Sequence, residues 1–178
     1  ICYQTGKPEK GDYTEEYQAV YHEHMLKMWK ERPYIWAMHV WNMFDFAADG
    51  REDGGEKGVN HKGLVTFDRK IKKDAFYIYK AYLSKEPFVH VCVSRYIDRA
   101  EDITEVKVYS NLPKVTLFVD GVKAEAKEAD KIFVFEVPIN GEHSIEAAAE
   151  VPDTMDGVTA KVTDSIRIRK VSEPNRSY

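Results

Sequence analysis

Apolar and polar positions change rhythm twice along this chain, and each change marks a different kind of element. Tyr17, Val20, Tyr21, His24, Met25 and Met28 recur at three- and four-residue steps, with Glu16, Glu23, Lys27, Lys30 and Glu31 off that stripe. This spacing predicts an amphipathic helix over 13–31. Asp12 with Glu15 three residues on supplies a capping-box start, and Pro33 marks the end. Residues 35–41, Ile-Trp-Ala-Met-His-Val-Trp, are apolar at nearly every position. A strand with no solvated face must be covered on both sides, so 35–44 reads as a buried parallel strand of an α/β fold. The stretch from Ala48 to Gly58 is charged, glycine-rich and without period, and reads as a long polar loop. A second helix is expected over 72–83, burying Ala75, Phe76, Tyr79 and Tyr82 or Leu83 and exposing Lys73, Asp74 and Lys80.

Beyond Pro87 the period becomes two. Residues 88–93, 105–109, 115–119, 132–137, 143–149 and 165–169 alternate as strands do, with turn signals at 110–113, Asp120-Gly121, Asn140-Gly141 and Asp156-Gly157. Six or seven short strands in about 90 residues point to an antiparallel sandwich of immunoglobulin type. The chain therefore divides at about 85/86. The first half poses a problem, because one buried strand between two helices has no strand to pair with. Residues 1–85 read as the end of a larger α/β fold.

Net charge and cysteine usage narrow the partners. At −4, with a pI near 5.9, the chain carries no basic excess for nucleic acid or an anionic membrane. No apolar run approaches the roughly 20 residues that span a bilayer. Cys2 and Cys92 are the only cysteines, without the spacing of a zinc or redox motif. The first residue is Ile1 rather than Met, which suggests a piece of a longer protein and leaves localisation unread. An orphan strand edge invites self-association into a homo-oligomer.

Few residues carry candidate chemistry. His22 and His24 point about 200° apart on a helix and cannot share a metal ion. Asp49, Glu52, Asp53 and Glu56 lack the order of a calcium loop, and Gly54-Gly55-x-x-Gly58 is no phosphate loop. No metal or cofactor is expected. Trp41 stands out, because an indole at the end of a strand, followed by Asn42 and Asp45, suits the floor of a sugar pocket. Residue statistics alone favour Trp36 and Trp41 as core. Asn60-x-Lys62 is a second polar pair, at the far end of the loop.

The runs Val40-Trp41-Asn42-Met43-Phe44-Asp45-Phe46-Ala47-x-Asp49-Gly50 and Asn60-x-Lys62-Gly63-Leu64-Val65-Thr66-x-Asp68-Arg69, continuing to Tyr79-Lys80, resemble the last βα unit of glycoside hydrolase family 2. That family holds β-galactosidases, β-glucuronidases and β-mannosidases. The resemblance covers about 13–85, and the β-rich remainder resembles the immunoglobulin-like domain that follows the barrel in bacterial members. It implies a (β/α)8 (TIM) barrel, with helix 13–31 as helix seven, 35–44 as strand eight and 72–83 as helix eight. It also implies retaining hydrolysis by two glutamates whose carboxyls sit roughly 5–5.5 Å apart. Both glutamates precede helix seven, so no catalytic residue falls in this chain, which by itself should be inactive. Trp41 matches the aromatic wall of the family's non-reducing sugar subsite. Asn60 and Lys62 match a motif that reaches the carboxylate of glucuronic acid in family β-glucuronidases, and Asn42 and Asp45 match supporting positions. The implied partners are a carbohydrate substrate and the upstream remainder of the barrel. The expected activity is β-galactosidase, with β-glucuronidase the alternative on the strength of Asn60 and Lys62. A non-catalytic carbohydrate-binding or spacer module is the alternative from another class, hinted at by Tyr96, Tyr109 and Phe133 on the sandwich.

Overall fold

The computed structural model describes residues 5–11, 13–52, 56–151 and 160–175. They form two compact units, one reaching to Tyr79 and the other spanning Lys80–Asn175. The first unit carries helix α1 (Glu15–Lys30), short strands β1 (Phe46–Ala47) and β2 (Val59–Asn60), and most of helix α2 (Asp74–Leu83). α1 begins two residues later than expected. Thr14, not Asp12, is its N-cap, and the Thr14 hydroxyl accepts the Tyr17 N–H at 3.1 Å; Asp12 lies outside the described residues.

The buried face of α1 also differs from the apolar stripe. Glu15, Glu16, Ala19, His22 and Leu26 are buried, whereas Tyr21 and His24 face solvent. Hydrogen bonding explains the exchange, because a polar side chain is tolerated inside when it has a partner. Glu15 Oε1 accepts the Asp74 N–H at 2.7 Å, which satisfies one of the open donors at the start of α2. His22 Nδ1 and the Tyr79 hydroxyl share a hydrogen bond of 3.0 Å. The same logic corrects α2. Lys73 and Asp74 are buried rather than exposed, Ile78 and Ala81 form its core face, and Leu83 is solvated.

Residues 35–43 are not a strand. Trp36 is 92% and Trp41 69% exposed, so neither is the core residue that statistics favour. The run pairs along one side only, through an isolated parallel bridge between Phe44 and Val65, and β1 pairs antiparallel with β2. An apolar run becomes a ladder strand only where neighbours supply donors and acceptors.

The second unit contains β3 (Val89–Val91), β4 (Asp98–Arg99), β5 (Ile103–Ser110), β6 (Lys114–Val119), β7 (Val122–Glu128), β8 (Ile132–Pro138), β9 (Glu142–Glu150) and β10 (Lys161–Lys170). They make a three-stranded sheet in the order β3-β5-β8 and a five-stranded sheet in the order β4-β10-β9-β6-β7. Alternate residues of both sheets meet in one core, among them Val106, Val108, Phe133, Phe135, Ile145, Ala147, Ile166 and Ile168. β4 and β7 escaped the pattern for different reasons. β4 is two residues long and lies parallel to Arg169 and Lys170, while β7 is a charged edge strand whose residues are mostly solvated. β6 and β7 join at Asp120 and Gly121, with φ of +52° and +78°, the two left-handed positions of a type I′ hairpin. Tyr96, Tyr109 and Phe133 are all buried, so they form no exposed aromatic cluster. Arg99 is buried as well, donating to the carbonyls of Tyr96 (2.7 Å) and Val93 (3.4 Å) and to the Thr104 hydroxyl (3.1 Å).

Candidate functional site

The candidate residues converge because two pieces of backbone lie side by side. Asn42 donates its N–H to the Lys62 carbonyl at 3.3 Å and accepts the Leu64 N–H at 3.0 Å; Val65 donates to Met43 at 3.0 Å, and Asp45 donates to Val65 at 2.9 Å. Phe46 stands opposite Asn60 where β1 meets β2. Trp41, joined to Asn42 by a cis peptide, leans its indole edge-on against the Phe46 ring at 5.9 Å between centroids. Most of the indole remains open to solvent. Trp41, Asn42, Asp45, Asn60 and Lys62, far apart in sequence, thus lie along one seam.

Each has a different environment. Asn60 is buried, and its Oδ1 accepts the Lys62 N–H at 3.0 Å, closing a tight turn. Lys62 is exposed, and among the described residues no carboxylate pairs with its ammonium. The Asn42 amide oxygen accepts the Met43 N–H at 2.7 Å. Asp45 is buried and acts as a fastener, because Oδ1 accepts the Gly63 N–H at 2.8 Å and the Lys73 ammonium at 2.8 Å. Lys73, only 1% exposed, also donates to the His61 carbonyl at 2.9 Å. Burial holds its ammonium below the usual lysine range, against the opposing pull of the Asp45 hydrogen bond and charge. His61 lies between Asp45 Oδ2 (3.6 Å) and Glu56 Oε2 (3.5 Å), yet burial keeps its imidazole below the ordinary value.

Gly63 makes this approach possible. A Cβ there would sit 2.7 Å from Asp45 Oδ1 and closer still to backbone atoms of Phe44 and Asp45. From α1, Gln18 Nε2 reaches the carbonyls of Lys62 (3.2 Å) and Gly63 (3.0 Å). Sequence reasoning passed over Gln18 and Lys73. Gln18 is one polar residue in an amphipathic helix, and Lys73 sits in a lysine pair that reads as solvated.

Chemically, the seam offers an exposed aromatic face beside a fixed amide and an exposed cation. Such a surface suits a ring with C–H faces and an anionic substituent. The acidic loop offers less: Asp49, Glu52 and Glu56 are solvated, and Asp53 lies outside the described residues.

Comparisons with known proteins agree on a glycosidase. No family model matches the chain. A β-glucuronidase from Bacteroides fragilis is 43% identical over 119 residues, and a provisionally named β-glucuronidase from Formosa agariphila is 34% identical over 128. These stretches cover 66% and 69% of the chain, which itself spans only 17% and 15% of the relatives' lengths. Among solved structures, an FMN-binding β-glucuronidase from Faecalibacterium prausnitzii superposes with a TM-score of 0.88 and 46% identity, covering 98% of the chain and 26% of that protein. A provisionally named β-galactosidase from Bacteroides fragilis superposes at 0.80 with 34% identity, covering 90% of the chain and 24% of that protein.

Proposed function

Because the chain is homologous to one stretch of bacterial β-glucuronidases and a β-galactosidase, we propose that it is the C-terminal part of a retaining exo-β-glycosidase of family 2 that removes terminal β-linked glucuronic acid. In this reading residues 1–85 complete a (β/α)8 barrel, and 86–178 form an immunoglobulin-like domain that follows it in the sequence. The strand orders β3-β5-β8 and β4-β10-β9-β6-β7 support the second assignment. The catalytic glutamates belong to barrel strands outside these residues, and their carboxyls stand roughly 5–5.5 Å apart as retention requires. The chain contributes substrate binding, with Trp41 stacking on the sugar ring and Asn60 and Lys62 meeting its carboxylate. Asn42 and Asp45 act in support.

The observation that carries the glucuronide reading is the exposed Lys62 ammonium on a backbone turn tied to the segment that bears Trp41. A galactoside has no anion for that cation to bind. β-Galactosidase, the activity first expected from the sequence, is the second reading, favoured by the Bacteroides fragilis structure. Lys62→Ala in the intact enzyme separates the two. A charge-assisted contact is worth about 1.5–3 kcal/mol, or roughly 10- to 150-fold in kcat/KM. Aryl glucuronide hydrolysis should fall by that factor while aryl galactoside hydrolysis is unchanged. Unchanged glucuronide hydrolysis would refute the role of Lys62. FMN binding, named for the Faecalibacterium relative, carries over as a separate property on 46% identity across 98% of the chain. Flavin absorbance that survives desalting tests it, and protein left colourless after incubation with FMN would sink it.

A further inference from the structure

The peptide groups of residues 61–63 are fastened almost completely by side chains. The His61 carbonyl takes the Lys73 ammonium, and the Lys62 N–H goes to Asn60 Oδ1. The Lys62 carbonyl takes Gln18 Nε2 as well as the Asn42 N–H. The Gly63 N–H goes to Asp45 Oδ1, and the Gly63 carbonyl again to Gln18 Nε2. A solvated loop would satisfy these groups with water at almost no cost. Here the protein instead buries Asp45 and Lys73 and brings a third side chain across from α1, 44 residues away in sequence. Such fastening fixes the direction in which the Lys62 side chain leaves the backbone, and that side chain is the free end of the assembly.

We infer that Gln18 is a positioning residue for anion recognition: its carboxamide holds two successive carbonyls so that the Lys62 ammonium meets the carboxylate of the sugar. This rests on the glucuronide reading of Lys62 given above. Gln18 itself reaches no substrate. Its two bonds are to backbone oxygens, so no base, acid or nucleophile is assigned to it. Its action passes through Lys62, which makes the energetics of the two residues inseparable. Without the amide, the turn keeps its Asn60, Asp45 and Asn42 ties but gains freedom at the carbonyls of Lys62 and Gly63, the two that follow the Lys62 side chain along the backbone. The ammonium then spends less time in register with the anion, and binding weakens before chemistry does.

The test is a double-substitution cycle in the intact enzyme that carries these residues, with an aryl β-D-glucuronide as substrate. Gln18→Met keeps the length and removes the donor, and Gln18→Ala is a second variant that adds no bulk. Each should raise KM by about fivefold or more with kcat within about twofold, because a contact shared by ground and transition states is weakened. In the Lys62→Ala background the same substitution should change kcat/KM by less than about twofold, as expected of residues that act as one unit. Equal factors in both backgrounds would make Gln18 a structural residue and overturn the inference while leaving Lys62 its role. So would a KM unchanged in the wild-type background. If Lys62→Ala alone is without effect, the glucuronide reading fails and the inference with it.

Discussion

Substituting Gly63 by alanine tests the tight seam directly, and its cost can be worked from the atoms around it. The added methyl would lie 2.7 Å from Asp45 Oδ1 and nearer still to the backbone of Phe44 and Asp45. Backbone on both sides leaves no flexible side chain to yield, so the two segments must part. Parting them weakens the Gly63 to Asp45 bond at 2.8 Å and the Asn42 bonds to Lys62 and Leu64, about 1 kcal/mol apiece. Overpacking adds about 1–3 kcal/mol, for a total of roughly 4–6 kcal/mol. Gly50→Ala, in the same unit, is the control. Unlike Gly63 it has a positive φ, at +74°, but nothing lies within 4 Å of its added methyl, so it should cost only the left-handed strain of about 1–2 kcal/mol. Urea titration provides the assay. Trp29, Trp36 and Trp41 all fall in the first unit, so tryptophan fluorescence follows its unfolding and the midpoint shift at constant slope gives the difference. If Gly63→Ala moves the fluorescence midpoint no more than a methyl in open space would, the close approach is not what holds the seam.

Three further outcomes follow from buried polar groups. Lys73→Met should destabilise the first unit by about 3–5 kcal/mol, since it strands the Asp45 carboxylate, while Asp45→Leu with Lys73→Met should cost clearly less in the same urea titration. Equal costs would mean that the pair does not interact. Burial, helped by the Lys73 charge, lowers the His22 pKa from 6.5 to about 4, so the unfolded chain binds the proton first. The stability from keeping His22 neutral is therefore complete above pH 6.5 and is lost as the pH falls toward 4, by up to about 3 kcal/mol. His22→Gln should flatten the pH dependence of the urea midpoint in that window, and an unchanged slope would count against it. Arg99→Met removes the guanidinium donor to the Tyr96 carbonyl, leaving the Val93 carbonyl and the Thr104 hydroxyl their bonds to the Tyr96 N–H and Glu101, and should lower the melting temperature of the sandwich, at about 1–3 kcal/mol, without altering KM; calorimetry and kinetics read the two effects.

The sandwich was the most legible part of the chain, because its core alternates and its turns carry their own chemistry. Val106, Val108, Phe133 and Phe135 sit where period two puts them, and Asp120-Gly121 makes the hairpin that the dipeptide announces. The first unit was harder to read for a physical reason. Hydrophobic periodicity assumes that what is buried is apolar, but α1 buries Glu15, Glu16 and His22, and the start of α2 is buried at Lys73 and Asp74. The apolar run at 35–41 misled in the opposite sense. Composition reports what a segment can pair with, and a strand exists only when the pairing is supplied. The seam itself was half visible. Trp41, Asn42, Asp45, Asn60 and Lys62 were picked out by residue type and resemblance, whereas Gln18 acts on backbone carbonyls and Lys73 on a backbone carbonyl and the buried Asp45 carboxylate, and no residue pattern announces that.

The two units spend their interiors differently, and the difference bears on what each is for. In the sandwich the buried set is mostly valine, isoleucine, phenylalanine and alanine, which gain free energy by leaving water and need no exact partner. In the first unit the set includes Glu15, His22, Asp45, Asn60 and Lys73, groups that are costly to bury and tolerable only with directed partners. An apolar replacement of comparable volume would hold the helices together as well or better. What it would lose is direction, since a methyl group cannot fix where a carbonyl points. A polar interior beneath 61–63 is therefore a poor way to gain stability and a good way to fix one turn of backbone. That is the economy that the proposed meeting of the exposed Lys62 ammonium with an anion would call for.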